Sequence, residues 1–235
     1  PPLELLDAMG FVPVVMWGLS EQFPETPESD RHLQSYTCSV ARRLTELALS
    51  DNRDMMDGLF MYNSCDTLRN LPEILELGGN LPVHRLHIPM TPVEQTDASG
   101  YVRQGVENLI RDLEATYNSS FSGGEFLKSL EGYATARRLC RELEAAVAEG
   151  KLAFADFADV VQQGWWMPVA DHIAALKSTL NKTEGADAGP DQRPGIFLSG
   201  ILPPPRRVTE AIEQAGLRVA GNDIASLARS YMQPF

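Results

Sequence analysis

Short apolar runs alternate with stretches of helical spacing through the first hundred residues of the chain. The runs are Phe11 to Trp17 (FVPVVMW), Gly58 to Asn63 (GLFMYN) and Val83 to Ile88 (VHRLHI). Between them, YTCSVARRLTELALS and TLRNLPEILELGG repeat apolar residues every three or four positions, the period of a helix with one buried face. Short, nearly unbroken apolar strands separated by helices predict an α/β fold, here a doubly wound parallel sheet over residues 1–93.

The pattern then turns purely helical over residues 94–184, through VRQGVENLIRDLEATY, the long GGEFLKSLEGYATARRLCRELEAAVAEG and FADFADVVQQGWWMPVADHIAALKSTL. Asn181 to Gly195 is polar and rich in Gly and Asp, which predicts a loop or linker. Beyond it, strand GIFLSG, a helix from Arg206 to Ala215 and a strand from Leu217 to Gly221 form a βαβ unit, the start of a second α/β domain over residues 192–235. One such unit does not close a domain, and the first residues open directly in a helix. The expectation is a piece of a longer chain.

Composition narrows the function without naming it. At 235 residues with 43% hydrophobic and 22% charged residues, the chain reads as an ordinary globular protein. A net charge of −12 and a pI near 4.8 argue against a nucleic-acid or anionic-membrane partner, because phosphate recognition needs clustered Lys and Arg. No apolar run approaches the roughly 20 residues of a membrane span, and no signal-peptide pattern opens the chain. A cytoplasmic location is expected. Three cysteines are too few for a disulfide framework, which leaves them open to metal or redox chemistry.

Two of those cysteines stand at strand-to-helix or loop-to-helix joints. Cys65 follows the GLFMYN run and precedes a helix, where ligands gather in open α/β sheets. Cys38 lies in or beside the first turn of its helix, with Ser35 or Thr37 as the expected cap, after the long polar loop SEQFPETPESDRHLQ. A helix start offers unpaired N–H groups and a positive dipole end, both suited to a negatively charged sulfur. Iron, zinc or a redox disulfide would all use two such thiols at one sheet edge. Cys140 sits mid-helix beside Leu139 and Leu143 and reads as packing.

The other chemical residues point to no site of their own. His84 and His87 have opposite parity on a strand and so face opposite sides, while His32 and His172 are far away in sequence, which leaves zinc poorly supported. Trp165 and Trp166, in GWWMP, read as a core anchor before a proline that kinks or restarts the helix, or as one wall of an apolar pocket. Arg206 and Arg207 read as solvated arginines or phosphate contacts. No GxGxxG, Walker or GxSxG motif occurs.

Taken in order, the segments resemble one family. PPLELLDAMGFVPVVMWG is similar to the opening of the 2-hydroxyacyl-CoA dehydratase subunits, a group that includes the benzoyl-CoA reductase subunits. YTCSVARRLTELAL resembles that family's first cluster cysteine on its helix, and DGLFMYNSCDTLRNL its second, in a Cys-Asp-x-x-Arg turn. RPGIFLSGILPPPRRVTEAIEQAGLRVAGNDIASLARSY resembles the βαβ segment of its second domain.

That resemblance implies a two-subunit iron–sulfur enzyme acting on an acyl-CoA or aromatic-CoA thioester, either as a dehydratase (a lyase) or as a reductase (an oxidoreductase) of anaerobic metabolism. Each subunit would bind a [4Fe-4S] cluster through three cysteines, and an ATP-dependent iron–sulfur activator protein would deliver a low-potential electron. In the dehydratases the electron forms a ketyl radical and water leaves; in the reductases an aromatic ring is reduced. Cys38 and Cys65 carry over as cluster ligands. Glu4 falls in the Pro-x-Glu segment, where its carboxylate would approach or order the cluster or simply suit the helix dipole; Ser64 would hydrogen-bond the cluster or cap the next helix, and Asp66 is expected as a cap. Arg69 would balance the cluster's charge or sit in a surface pair, and no role is assigned to Arg229 or Tyr231.

Ala225 stands where some members carry a cysteine, so the third ligand is expected beyond Phe235. Two cysteines hold a cubane weakly, so residues 1–235 alone are expected to lose it in air and to be inactive. The competing readings are a cluster-free structural or binding partner of a catalytic subunit, and an electron carrier without substrate chemistry.

Overall fold

The computed structural model describes residues 2–16, 25–50, 54–78, 81–90, 97–184 and 192–232. Its helices are α1 (Leu3–Ala8), α2 (Ser39–Leu49), α3 (Asp66–Gly78), α4 (Ala98–Tyr117), α5 (Gly123–Ala148), α6 (Phe154–Gln163), α7 (Val169–Thr183), α8 (Arg206–Gln214) and α9 (Ala228–Tyr231). The strands are β1 (Leu59–Tyr62), β2 (Val83–Leu86), β3 (Gly195–Gly200) and β4 (Arg218–Ile224). Both sheets of the described residues are parallel pairs, β1 with β2 and β3 with β4. The fold is α/β, as the alternating pattern predicts. By packing, the chain divides into residues 1–3 with 16–122, and residues 4–15 with 123–235.

In the first unit, α3 crosses over from the end of β1 to the start of β2, the connection that parallel strands require. Leu59 and Met61 of β1 meet Ala41, Leu44 and Ala48 of α2 and Leu71 and Leu75 of α3 in one buried cluster. Each of these residues recurs at the period of its own element, so the amphipathic pattern alone puts them on facing surfaces. Pro72 sits inside α3, six residues after Asp66, where it leaves the Leu68 carbonyl without its helical donor.

Helix α4 is fastened to the strands by a polar chain. His84, buried on β2, sits 2.5 Å through Nδ1 from Asp112 Oδ2 and 3.1 Å through Nε2 from the Tyr117 hydroxyl. Tyr117 donates in turn to the Asp57 carbonyl at 3.0 Å. Burial raises the Tyr117 hydroxyl above its ordinary value, with the Asp57 and Asp112 carboxylates adding to it, so it stays a donor. His84 points into the packed face and His87 is exposed, the opposite facing that strand parity predicts.

In the second unit, α5, α6 and α7 build the larger core, where Leu143, Phe157 and Leu176 are wholly buried beside Val219, Ile224 and Leu227. Near the chain start, Glu4 pairs with Arg137 at 2.7 Å, and Ser129 donates to Asp7 at 2.6 Å. The α6 helix stops at Gln163 and α7 restarts after Pro168, so the WW segment is a break between two helices rather than part of one. Gly164 is required there, because a Cβ on it would stand 2.5 Å from the His172 ring. Burial lowers the pKa of His172, which keeps the ring neutral, and its Nε2 donates to the Val160 carbonyl at 3.0 Å.

Two strand expectations change. Residues 11–16 form no strand: Pro13 has no N–H to give a ladder, Val12 and Val14 are about half exposed, and the Val15 N–H goes to the Trp165 carbonyl. Trp17 lies outside the described residues. The last strand runs on through Gly221, Asn222 and Asp223 to Ile224, because a bulge that leaves Ala220 unpaired between Ile196 and Phe197 resets the register. Likewise α7 continues to Thr183, into the segment expected to be a loop from Asn181, while residues 185–191 lie outside the described residues.

Candidate functional site

Parallel strands deliver the chain to one edge of a sheet, and the loops at that edge carry the groups free to meet a ligand. At the end of β1 that loop is Asn63, Ser64 and Cys65. The Cys65 carbonyl accepts the first helical bond of α3, from Arg69 N–H at 3.0 Å, so Cys65 occupies the cap position. Asp66, expected as the cap, lies instead within the first turn of α3.

Cys38 holds the same position on α2. Its backbone is extended (φ −58°, ψ 149°), its carbonyl accepts from Arg42 N–H at 3.1 Å, and its side chain makes no capping bond. Neither Ser35 nor Thr37 takes that place. Both sulfurs are exposed thiols.

The other ends of the two helices meet. Leu49, the last residue of α2, approaches to 3.0 Å of where a Cβ on Gly78, the last residue of α3, would stand. The helices pack side by side through Ala41, Leu44, Ala48, Leu71 and Leu75 with their C-terminal ends together. Cys38 and Cys65, at the N-terminal caps, each stand at the end of their helix away from that contact. Two thiols flanked by two positive helix ends suit a soft metal or a metal–sulfur group. Among the described residues no three His, Cys, Asp or Glu side chains form a complete metal-binding group.

The polar loop before Cys38 is held in place by α2. Glu46, buried on that helix, accepts from the Ser29 N–H at 3.0 Å, and Arg42 reaches Thr26 Oγ1 at 3.0 Å and the Asp30 carboxylate. Asn63 does the same for the Cys65 turn, bonding to the Ile88 backbone in both directions. Sequence reading missed Glu46, Arg42 and Asn63. A polar residue on the buried face of α2 was the available signal for Glu46; Asn63 before Ser-Cys-Asp offered none.

The remaining candidates have other surroundings. Ser64 is exposed, its N–H bonded to the Tyr62 carbonyl at 2.9 Å, and Arg69 is exposed one turn on. Glu4 is engaged with Arg137 in the second unit, both side chains about 15% exposed. Trp165 is buried, whereas Trp166 is 44% exposed. Arg206 is held by Asp156 and Asp159, both at 2.6 Å, and Arg229 by Asp223. Cys140 is core: burial pushes its thiol up to about 12.

Iodoacetamide at pH 8 is therefore expected to label Cys38 and Cys65 in the folded chain and spare Cys140, which peptide mass mapping reads directly. The same shift makes Cys140 a source of alkaline instability. The unfolded thiol ionises near its ordinary value while the folded one keeps its proton to about 12, so the unfolded state binds fewer protons and stability falls as pH rises through that window.

The family model for 2-hydroxyglutaryl-CoA dehydratase, D-component, matches residues 1–234. The chain belongs to that family. Among curated proteins it is 25% identical over 228 residues to a benzoyl-CoA reductase subunit of Thauera aromatica, covering 94% of this chain and 58% of that one. It is 24% identical over 236 residues to the beta subunit of (R)-2-hydroxyglutaryl-CoA dehydratase of Acidaminococcus fermentans, and 21% identical over 236 residues to that of (R)-phenyllactyl-CoA dehydratase of Clostridium sporogenes. Each of those two alignments covers 98% of this chain and 61% of the relative. This family member thus spans about three fifths of the length of the curated relatives it matches. No described helix is long and apolar enough to cross a membrane.

Proposed function

We propose that this chain is part of a subunit of a CoA-thioester dehydratase or benzoyl-CoA reductase-type enzyme, with Cys38 and Cys65 as two thiolate ligands of a [4Fe-4S] cluster. The observation that carries the reading is the pair of exposed thiols, each at the cap of one of two helices that share a buried cluster. The donor set fits part of a cluster's ligand shell: soft sulfur donors, no competing bond on the Cys38 sulfur in its cap, and orphan helix N–H groups that stabilise the negative charge of an iron–sulfur–thiolate assembly. A further thiolate comes from outside residues 1–235.

When bound, such a cluster supplies a low-potential electron to the thioester substrate, and the electron reaches it from an ATP-dependent iron–sulfur activator. The chain's own residues hold and shield. Two helix ends fix the sulfurs, Glu46 and Arg42 hold the loop before Cys38, and the Asn63–Ile88 bonds hold the turn before Cys65. A second homologous subunit completes the substrate site, and a reducing cytoplasm keeps both thiols available. The test is anaerobic titration of the full-length protein, assembled with its partner subunit, with an acyl-CoA. A CoA-dependent change in the electron paramagnetic resonance (EPR) spectrum of the reduced cluster is expected; a reducible cluster blind to any CoA thioester would point to electron transfer alone.

A further inference from the structure

We infer that Asn63 is the positioning residue of the Cys65 turn, a role that rests on Cys65 being a cluster ligand. The β1–β2 ladder ends at the Tyr62–Leu86 pair. One residue on, the Asn63 side chain takes over from the backbone: its Nδ2 donates to the Ile88 carbonyl at 2.9 Å, and its Oδ1 accepts from the Ile88 N–H at 2.7 Å. This reproduces a two-way rung of sheet with a side-chain amide, which frees the main chain at residue 63 to leave the strand.

The rung matters because the chain turns and begins a helix three residues after it, at Asp66. Ser64 N–H folds back to the Tyr62 carbonyl at 2.9 Å, and Cys65 then caps α3. Ser64 and Cys65 are both exposed, so no core packing holds the turn from its outer side. The Asn63 amide is the tie that links the turn to the neighbouring strand exit. Only Asn carries a donor and an acceptor at this reach: Asp keeps the bond from Ile88 N–H but sets a carboxylate against the Ile88 carbonyl, and Ala keeps neither.

The inference separates two readouts, both on the full-length protein with its partner subunit. In the cluster-free state, amide hydrogen exchange at Ile88 and Ser64 is expected to speed up about ten-fold or more in Asn63→Ala, one lost hydrogen bond's worth of protection, with Leu75 in the core unchanged. In the anaerobically loaded state, the same variant is expected to release iron to a ferrous chelator several-fold faster and to shift the EPR spectrum of the reduced cluster, with Asn63→Asp between it and the wild type. Unchanged exchange at Ile88, or faster exchange with wild-type iron release and spectrum, overturns the positioning role. Absence of iron from the wild type overturns the cluster reading instead, and the exchange result then decides alone whether Asn63 holds the turn.

Discussion

Replacing Cys65 with Ser in the full-length protein is expected to lower CoA-thioester turnover at least a thousand-fold while leaving the fold intact. The two halves of that result have separate causes. Cys65 is exposed and touches no core cluster, so exchanging sulfur for oxygen costs little stability, and a serine serves the cap position as well or better. Under the proposed function, a hard oxygen ligand in place of a thiolate alters or loses the cluster, and with it the electron that drives turnover. Circular dichroism would verify the fold and anaerobic turnover the loss; turnover within ten-fold of wild type would remove Cys65 from the site.

The second large effect lies at the other end of the same strand. A Cβ on Gly58 would stand 1.9 Å from the Tyr117 hydroxyl oxygen and 3.2 Å from the Pro82 carbonyl. Gly58→Ala must push Tyr117 off both His84 and Asp57, a loss of about 2–4 kcal/mol from two hydrogen bonds and the overpacking. Tyr117→Phe removes the clashing atom and costs about 1–2 kcal/mol by itself. The double variant is therefore expected to be more stable than the sum of the single losses, by about 1 kcal/mol or more in urea unfolding. Strict additivity would mean that Gly58 is not packed against that hydroxyl.

Much of this was legible from the hydrophobic pattern. Helices α2, α3, α5 and α8 stand within a few residues of their sequence-based bounds, and in α2 and α3 the buried apolar residues recur at helical spacing. Strands β1, β2 and β3 were legible because short apolar runs bounded by Gly, Pro or Asn have few alternatives. The run at Phe11 misled because it has the composition of a strand without a partner, and pairing is a property of the neighbour rather than of the run. The helix break at Gly164 was visible through Pro168, whereas the need for glycine there depends on His172, eight residues away and packed by tertiary contact.

For the candidate site, the place of the cysteines before their helices was legible and the bonds around them were not. Cys38 and Cys65 announce themselves by residue type and by position before a helix. The meeting of their helices at Leu49 and Gly78 is a tertiary contact, and the ties to Ser29 and Ile88 run from side chain to backbone across 17 and 25 residues, which no local spacing encodes. Polar residues that hold a loop through its backbone leave no trace in the sequence of the loop they hold.

The most direct measurement is iron and acid-labile sulfide per chain in the anaerobically purified full-length protein, compared with its Cys38→Ser and Cys65→Ser variants. About four irons and four sulfides in the wild type, falling well below that in each variant, is the predicted result. A full complement retained in both variants would contradict it.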